Sequence, residues 1–156
     1  MKKNIAYISN FKEWFDEFSF YVPMKVRFSE TDMFGHVNNT SAFVYFEQAR
    51  LELLAHLGFS TENLSSTESI PVVADLQCDF LKQIFFGETI NVYVKVHQIG
   101  NSSIDIHYLV LNEKKEPCLT GRGRIVNINV HTGKPTSFTE EQKELLVKSK
   151  DNHETK

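Results

Sequence analysis

One long amphipathic helix, followed by segments whose apolar residues recur at every second position, limits this chain to few architectures. From about Thr40 to Leu57, the residues Ala42, Phe46, Ala49, Leu53 and Leu57 fall at four- and three-residue steps and form a single helical stripe. Asn39 or Ser41 stands where a cap belongs, and Gly58 where a C′ glycine belongs. A helix of that span is about 27 Å long. After Pro71 the period changes to two. Val72–Phe80 is a strand candidate. Ile90, Val92, Val94 and Val96 then alternate with polar neighbours, as do Ile104, Ile106, Tyr108 and Val110, and finally Val126, Ile128 and Val130. With a further strand expected at 22–29, five strands at about 4.8 Å spacing make a sheet roughly 24 Å wide. The helix can lie across it and bury its stripe. Turn signals at Gly87-Glu88, Gly100-Asn101 and 112–115 keep the connections short, which favours antiparallel pairing. The expected class is α+β, with the helix on one face of an antiparallel sheet.

The flanks are simpler. Phe11, Trp14, Phe15 and Phe18 predict an N-terminal amphipathic helix, so residues 1–21 are expected to form a helical extension ahead of one domain over 22–147. Residues 60–69 predict a polar connection with at most one helical turn. Thr139 and Gln142 form a capping-box pattern ahead of a short final helix, and residues 148–156 are expected to fray. A net charge of -3 gives no electrostatic case for nucleic acid or an anionic membrane. No apolar run is long enough to span a bilayer, and Asn4, Ser9, Asn10 and Lys12 interrupt any signal-peptide core, so a cytoplasmic location is expected. Cys78 and Cys118 lie far apart without CxxC spacing and predict two reduced thiols.

Chemistry concentrates in residues 26–50. A β-type run (Val26, Arg27, Phe28) leads to the carboxylate of Asp32, then Gly35, His36, Asn38 and Asn39, and then the long helix opens at about Thr40. A general base is thus placed just before a helix N-terminus, whose free N–H groups suit a developing oxyanion. That pairing is the minimal equipment for hydrolysing an activated acyl group. Each residue also has an ordinary use. Asp32 suits an Asx turn, Gly35 a positive φ, and Asn39 an N-cap.

Thr31-Asp32-Met33-Phe34-Gly35-His36-Val37-Asn38-Asn39 and Phe43-Val44-Tyr45-Phe46-Glu47-Gln48-Ala49-Arg50 resemble the hotdog-fold acyl-CoA thioesterases of the 4-hydroxybenzoyl-CoA thioesterase type. The likeness runs more loosely to Gly133-Lys134-Pro135 and covers roughly residues 22–140. It implies a sheet wrapped around one long central helix. It also implies subunits paired as a homodimer or dimer of dimers, with the active site at their interface. Asp32 is the implied catalytic carboxylate, acting as base or nucleophile. Gly35, His36, Asn38, Asn39 and Thr40 are the implied substrate-binding and oxyanion positions. The expected reaction is hydrolysis of acyl-CoA to a carboxylic acid and coenzyme A, without metal or organic cofactor. A non-catalytic acyl-CoA-binding or regulatory module is the alternative.

The G-H-F-P surroundings of a dehydratase histidine are absent around His36, so a structural or substrate-orienting role is expected of it. No HxxH or HExxH grouping suggests a metal. Glu47 and Arg50 read as an i,i+3 pair on the helix surface, and Arg122 and Arg124 as solvated charges or contacts to coenzyme A phosphates. The apolar stripe carries no charge within it, which predicts medium- or long-chain acyl substrates.

Overall fold

The computed structural model describes residues 4–59 and 67–151. The elements run α1 (Phe11–Asp16), β1 (Tyr21–Lys25), α2 (Asn39–His56), β2 (Ser69–Phe80), β3 (Thr89–Ile99), β4 (Ser103–Leu111), β5 (Pro117–Asn129) and α3 (Glu140–Asp151), with a 3₁₀ turn at Phe28–Glu30. The strands form one antiparallel sheet in the order β1-β3-β4-β5-β2. The fold is α+β, the hotdog arrangement of a sheet around one long helix. The polar connection expected at 60–69 lies largely outside the described residues.

α2 has the length expected of it but starts one residue early. Asn38 is the cap, not Asn39 or Ser41, and its side-chain oxygen accepts the Thr40 N–H at 3.1 Å. At the other end Gly58 adopts φ +95°, its N–H bonds Ala55 O at 3.0 Å, and Phe59 N–H bonds Leu54 O at 2.9 Å. These bonds satisfy the final carbonyls. Ala42, Phe46, Ala49 and Leu53 are buried against the sheet with Val92, Val94, Ile106 and Tyr108. Phe46 stacks on Tyr108 with centroids 4.4 Å apart. It lies so close over β5 that a Cβ at Gly121 would sit 2.4 Å from its ring. A glycine is therefore required in mid-strand.

Arg50 corrects the surface reading. Only 6% exposed, it donates to the Tyr108 hydroxyl at 3.1 Å, and the carboxylate of Glu47 lies 3.9 Å away. The buried head is hydrogen-bonded at the helix–sheet boundary, which is what makes its burial tolerable. Arg122 and Arg124 are neither free nor near the helix start. Both pair with Asp105 on the opposite face of the sheet, at 3.3 and 3.2 Å.

That opposite face also holds the N-terminal segment. Trp14 packs on Leu109 and Leu111 with Tyr7, Phe15 and Phe18 around it, and its indole N–H donates to His107 Nδ1 at 2.8 Å. Lys95 donates to Trp14 O at 3.1 Å and pairs with Glu17. α1 is only six residues long, capped by the Asn10 side chain. The Thr139–Gln142 capping box forms in both directions, at 2.9 and 3.1 Å. α3 then continues through Asp151, so residues 148–151 are helical rather than frayed. Leu146 anchors that helix in the core, and Lys148 and Lys150 suit its negative end. Residues 152–156 lie outside the described residues. Neither Cys78 nor Cys118 is in a disulfide.

Candidate active site

The segment between β1 and α2 closes on itself in a hydrogen-bonded turn at residues 31–37. Asp32 N–H donates to His36 O at 2.8 Å, Gly35 N–H to Asp32 O at 3.0 Å, and Thr31 and Val37 pair across it. Gly35 takes φ +76° with open space where a Cβ would be, so conformation rather than close approach requires glycine there. One oxygen of Asp32 closes the turn by accepting the N–H groups of Phe34 at 2.9 Å and His36 at 3.2 Å. Its other oxygen has no hydrogen-bond partner among the described residues. The turn's hydrogen bonds thus leave one oxygen of this carboxylate uncommitted.

Hydrogen-bond partners narrow the oxyanion donors sharply. The N–H groups of Gly35 and His36 are consumed within the turn, and that of Asn38 by Glu30 O at 2.8 Å. Thr40 N–H is shared by the side-chain oxygens of Asn38 and Asn39, at 3.1 and 2.9 Å. Of the five N–H groups singled out in the sequence, Asn39 alone has no acceptor among the described residues. As the first residue of α2 it points its donor out of the positive end of the helix.

Asp32, His36, Val37, Asn38 and Asn39 form one wall of an open groove of about 360 Å³, faced by Phe80 and Gln83. A deeper apolar cleft of about 180 Å³ adjoins it, between His36, Val37, Phe80, Leu81, Ile84 and Leu119. Asp32, His36, Asn38 and Asn39 are therefore brought together. Gly35 stands behind the turn and Thr40 outside the groove. The His36 ring is half-buried, edge-on to Phe85 with centroids 5.0 Å apart. Sequence reasoning misses Gln83 and Phe80, because they reach the site from the end of β2, some fifty residues away in sequence. It also misses Glu30 and its pairing with Tyr45, at 2.8 Å beneath the helix start. Among the described residues, no group of three or more His, Cys, Asp or Glu side chains is arranged to hold a metal ion. No described helix is long and apolar enough to cross a membrane.

The family model of the thioesterase-like superfamily spans residues 26–146. The chain belongs to that superfamily. It is a thioester hydrolase. The chain is 44% identical over 143 residues to uncharacterized protein YsmA of Bacillus subtilis (strain 168), covering 91% of this chain and 95% of that one. The structure of a DHNA-CoA thioesterase from Staphylococcus aureus superposes with a TM-score of 0.78 at 28% identity, covering 87% of this chain and 94% of the other. A thioesterase from Thermus thermophilus, complexed with coenzyme A and Zn, gives a TM-score of 0.72 at 29% identity, covering 84% and 93%. The matched span begins after α1, so the segment on the outer face of the sheet lies beyond it.

Proposed function

We propose that this chain hydrolyses acyl-CoA thioesters to a carboxylic acid and free coenzyme A, with Asp32 as the reacting carboxylate. One observation carries the reading: Asp32, with one oxygen uncommitted, and Asn39, whose N–H has no acceptor among the described residues, line the same groove. A thioester carbonyl seated with its oxygen toward Asn39 N–H presents its carbon to a water held by Asp32. The water oxygen bonds to that carbon as Asp32 takes its proton. The tetrahedral oxyanion is held by the N–H and the helix dipole. The C–S bond then breaks, and the coenzyme A thiolate leaves and collects the proton. Direct attack by Asp32 through an acyl-enzyme anhydride uses the same geometry. Asn38 and Asn39 shape the wall, and His36 orients substrate.

Coenzyme A as the carrier is supported by the two thioesterase neighbours, one named for a CoA thioester and the other bound to coenzyme A. The acyl group is a medium or long aliphatic chain, in keeping with a cleft lined mainly by Val37, Phe80, Leu81, Ile84 and Leu119, whose one charged lining residue, Lys82, is paired with Glu116 at 2.7 Å. Buried Arg50 does not line that cleft, and Tyr108 engages it. Each methylene seated there should contribute about 0.8 kcal/mol, so kcat/KM rises from acetyl to medium-chain substrates. Residues 22–147 act as the thioesterase domain, with 1–21 as an extension. Two copies join through β2, a twelve-residue edge strand with Val72, Val73 and Phe80 exposed. An active monomer in sedimentation would refute that pairing.

The test is thiol release from a panel of acyl-CoAs, from acetyl to long-chain and aryl. Asp32→Asn should lower turnover by roughly 10²–10⁴-fold while preserving the fold. Near-wild-type turnover in a folded Asp32→Asn protein would reject the assignment.

A further inference from the structure

We propose that Glu30 is a positioning residue for thioester hydrolysis: it fastens the first turns of α2 to the Asp32 turn, and so sets where the Asn39 N–H points relative to the Asp32 carboxylate. This rests on the reading of Asp32 and Asn39 given above. Glu30 is itself remote from the chemistry. It faces a separate cleft on the other flank of α2, with Lys25, Arg27, Val44 and Gln48.

Both polar ends of Glu30 are committed. Its carbonyl accepts the Asn38 N–H at 2.8 Å and the Ser41 hydroxyl at 3.1 Å. Those two residues bracket Asn39 and Thr40, so the open N–H is held from either side by one oxygen. Its carboxylate Oε2 accepts the Tyr45 hydroxyl at 2.8 Å and the Arg27 N–H at 2.9 Å, and Oε1 accepts Arg27 Nε at 2.8 Å. Tyr45 lies one turn beyond Ser41 on α2. Three successive points of the helix start are therefore tied to a residue two positions before Asp32.

The Glu30 side chain is 11% exposed. Burial works against its charge, yet the Arg27 N–H, the Tyr45 hydroxyl and the Arg27 guanidinium hold its carboxyl below the usual range. An apolar side chain could fill this space without needing three hydrogen bonds, and a buried charge is seldom the more stabilising choice. What the hydrogen-bonded side chain supplies is a single geometry, because each of its bonds holds only in one relation of turn to helix. Donor and base must keep that relation to better than about 1 Å for the reaction to run at full rate.

The experiment measures kcat and KM on an acyl-CoA that the wild type hydrolyses, for Tyr45→Phe, Glu30→Gln and Glu30→Ala, each alone and combined with Asp32→Asn, with thermal melts of every variant. Tyr45→Phe removes one hydroxyl and should lower kcat roughly 5- to 20-fold with KM within about twofold, the scale of one lost charged hydrogen bond. Glu30→Ala should cost more. Glu30→Gln should recover much of the loss, because its amide oxygen still accepts from Tyr45 and Arg27. In the Asp32→Asn background the Tyr45→Phe penalty should shrink, since most of what the brace sets is then missing. Wild-type kcat in folded Tyr45→Phe and Glu30→Gln, beside an inactive Asp32→Asn, would overturn the positioning role and leave Asp32 standing. Glu30→Gln as inactive as Glu30→Ala would overturn it too, by making the charge itself the working feature. Full turnover in Asp32→Asn removes the base, and this proposal falls with it.

Discussion

Replacing Asn39 by proline tests the oxyanion assignment at a single atom. A backbone donor cannot be truncated like a side chain, but proline deletes it, and the first residue of a helix is where proline is best tolerated. Asn39 holds that position, and its N–H takes no acceptor among the described residues. The preceding residue already suits the change, because Asn38 has ψ 143°, the extended range that a residue before proline adopts. Thr40 N–H loses the Asn39 side chain but keeps Asn38. The stability change should therefore stay within about 1 kcal/mol, a few degrees in Tm for a domain of this size. Turnover should fall far more. Removing one oxyanion donor costs about 10²–10³ in kcat, or roughly 2.7–4 kcal/mol of transition-state stabilisation. The assay is steady-state thiol release from an acyl-CoA beside a thermal melt, with Asn39→Ala as the control that keeps the N–H and loses only the side chain. Asn39→Ala should remain within about fivefold of wild type, since it forfeits only a redundant bond to Thr40. A folded Asn39→Pro protein with unaltered kcat, or equal losses in both variants, would refute the assignment.

Gly121→Ala would place a methyl 2.4 Å from the Phe46 ring and 2.9 Å from Gln77 O. Lifting α2 off β5 should cost about 1–3 kcal/mol, seen as a Tm loss of roughly 3–10 °C that Phe46→Leu partly restores; an unchanged Tm would mean the ring yields freely. Burial, with the neighbouring His97 and Lys95, pushes the His107 imidazole down to about 3. The unfolded chain binds that proton from about pH 6.5 downward and the folded chain does not, so stability is full above that value. It should fall toward pH 3 by up to about 1.4 kcal/mol per pH unit. His107→Gln, which can still accept the Trp14 N–H, should flatten the slope of urea midpoints between about pH 7 and 5, and a slope equal to wild type would exclude His107 as its source.

The elements legible in the sequence are those whose two faces differ in polarity. α2 shows a four- and three-residue stripe because one side lies on the sheet, and β3 and β4 alternate cleanly over most of their length. β5 runs from Pro117 to Asn129, yet only its last residues read as a strand. Its first half fails the pattern for reasons that lie elsewhere in the chain. Gly121 and Gly123 make room for Phe46 and Leu76, and Arg122 and Arg124 face Asp105 on the outer face. β1 is shorter than its sequence pattern for a similar reason. Glu30 captures the Arg27 N–H at 2.9 Å, and residues 28–30 form a 3₁₀ turn where the sequence pattern predicts that the strand continues to 29. Pro71 reads as a boundary and instead lies inside β2, tolerated because that strand is at the sheet edge.

The site is legible in the sequence as a place before it is legible as a mechanism. Asp32, His36, Asn38 and Asn39 share a groove because the turn closes locally, and local closure is what a motif can express. Which N–H remains open depends on acceptors beyond the motif's own pattern. Glu30 O takes the donor of Asn38, Ile84 O takes that of Val37 at 2.8 Å, and two asparagine oxygens compete for Thr40. Donor type repeats along every backbone, so residue identity carries no trace of this selection. Arg50 and Glu30 escape notice for a related reason. Each is a charged residue buried because one tyrosine hydroxyl meets it, Tyr108 on β4 for the first and Tyr45 on α2 for the second. With its partner unseen, a buried charge reads as a surface one. Here the two pairs do different work. Tyr108 lets Arg50 complete the helix–sheet contact, whereas Tyr45 lets Glu30 reach from the Asp32 turn to the helix start. The reactive geometry proposed for this chain thus hangs on a carboxylate that does not line the groove.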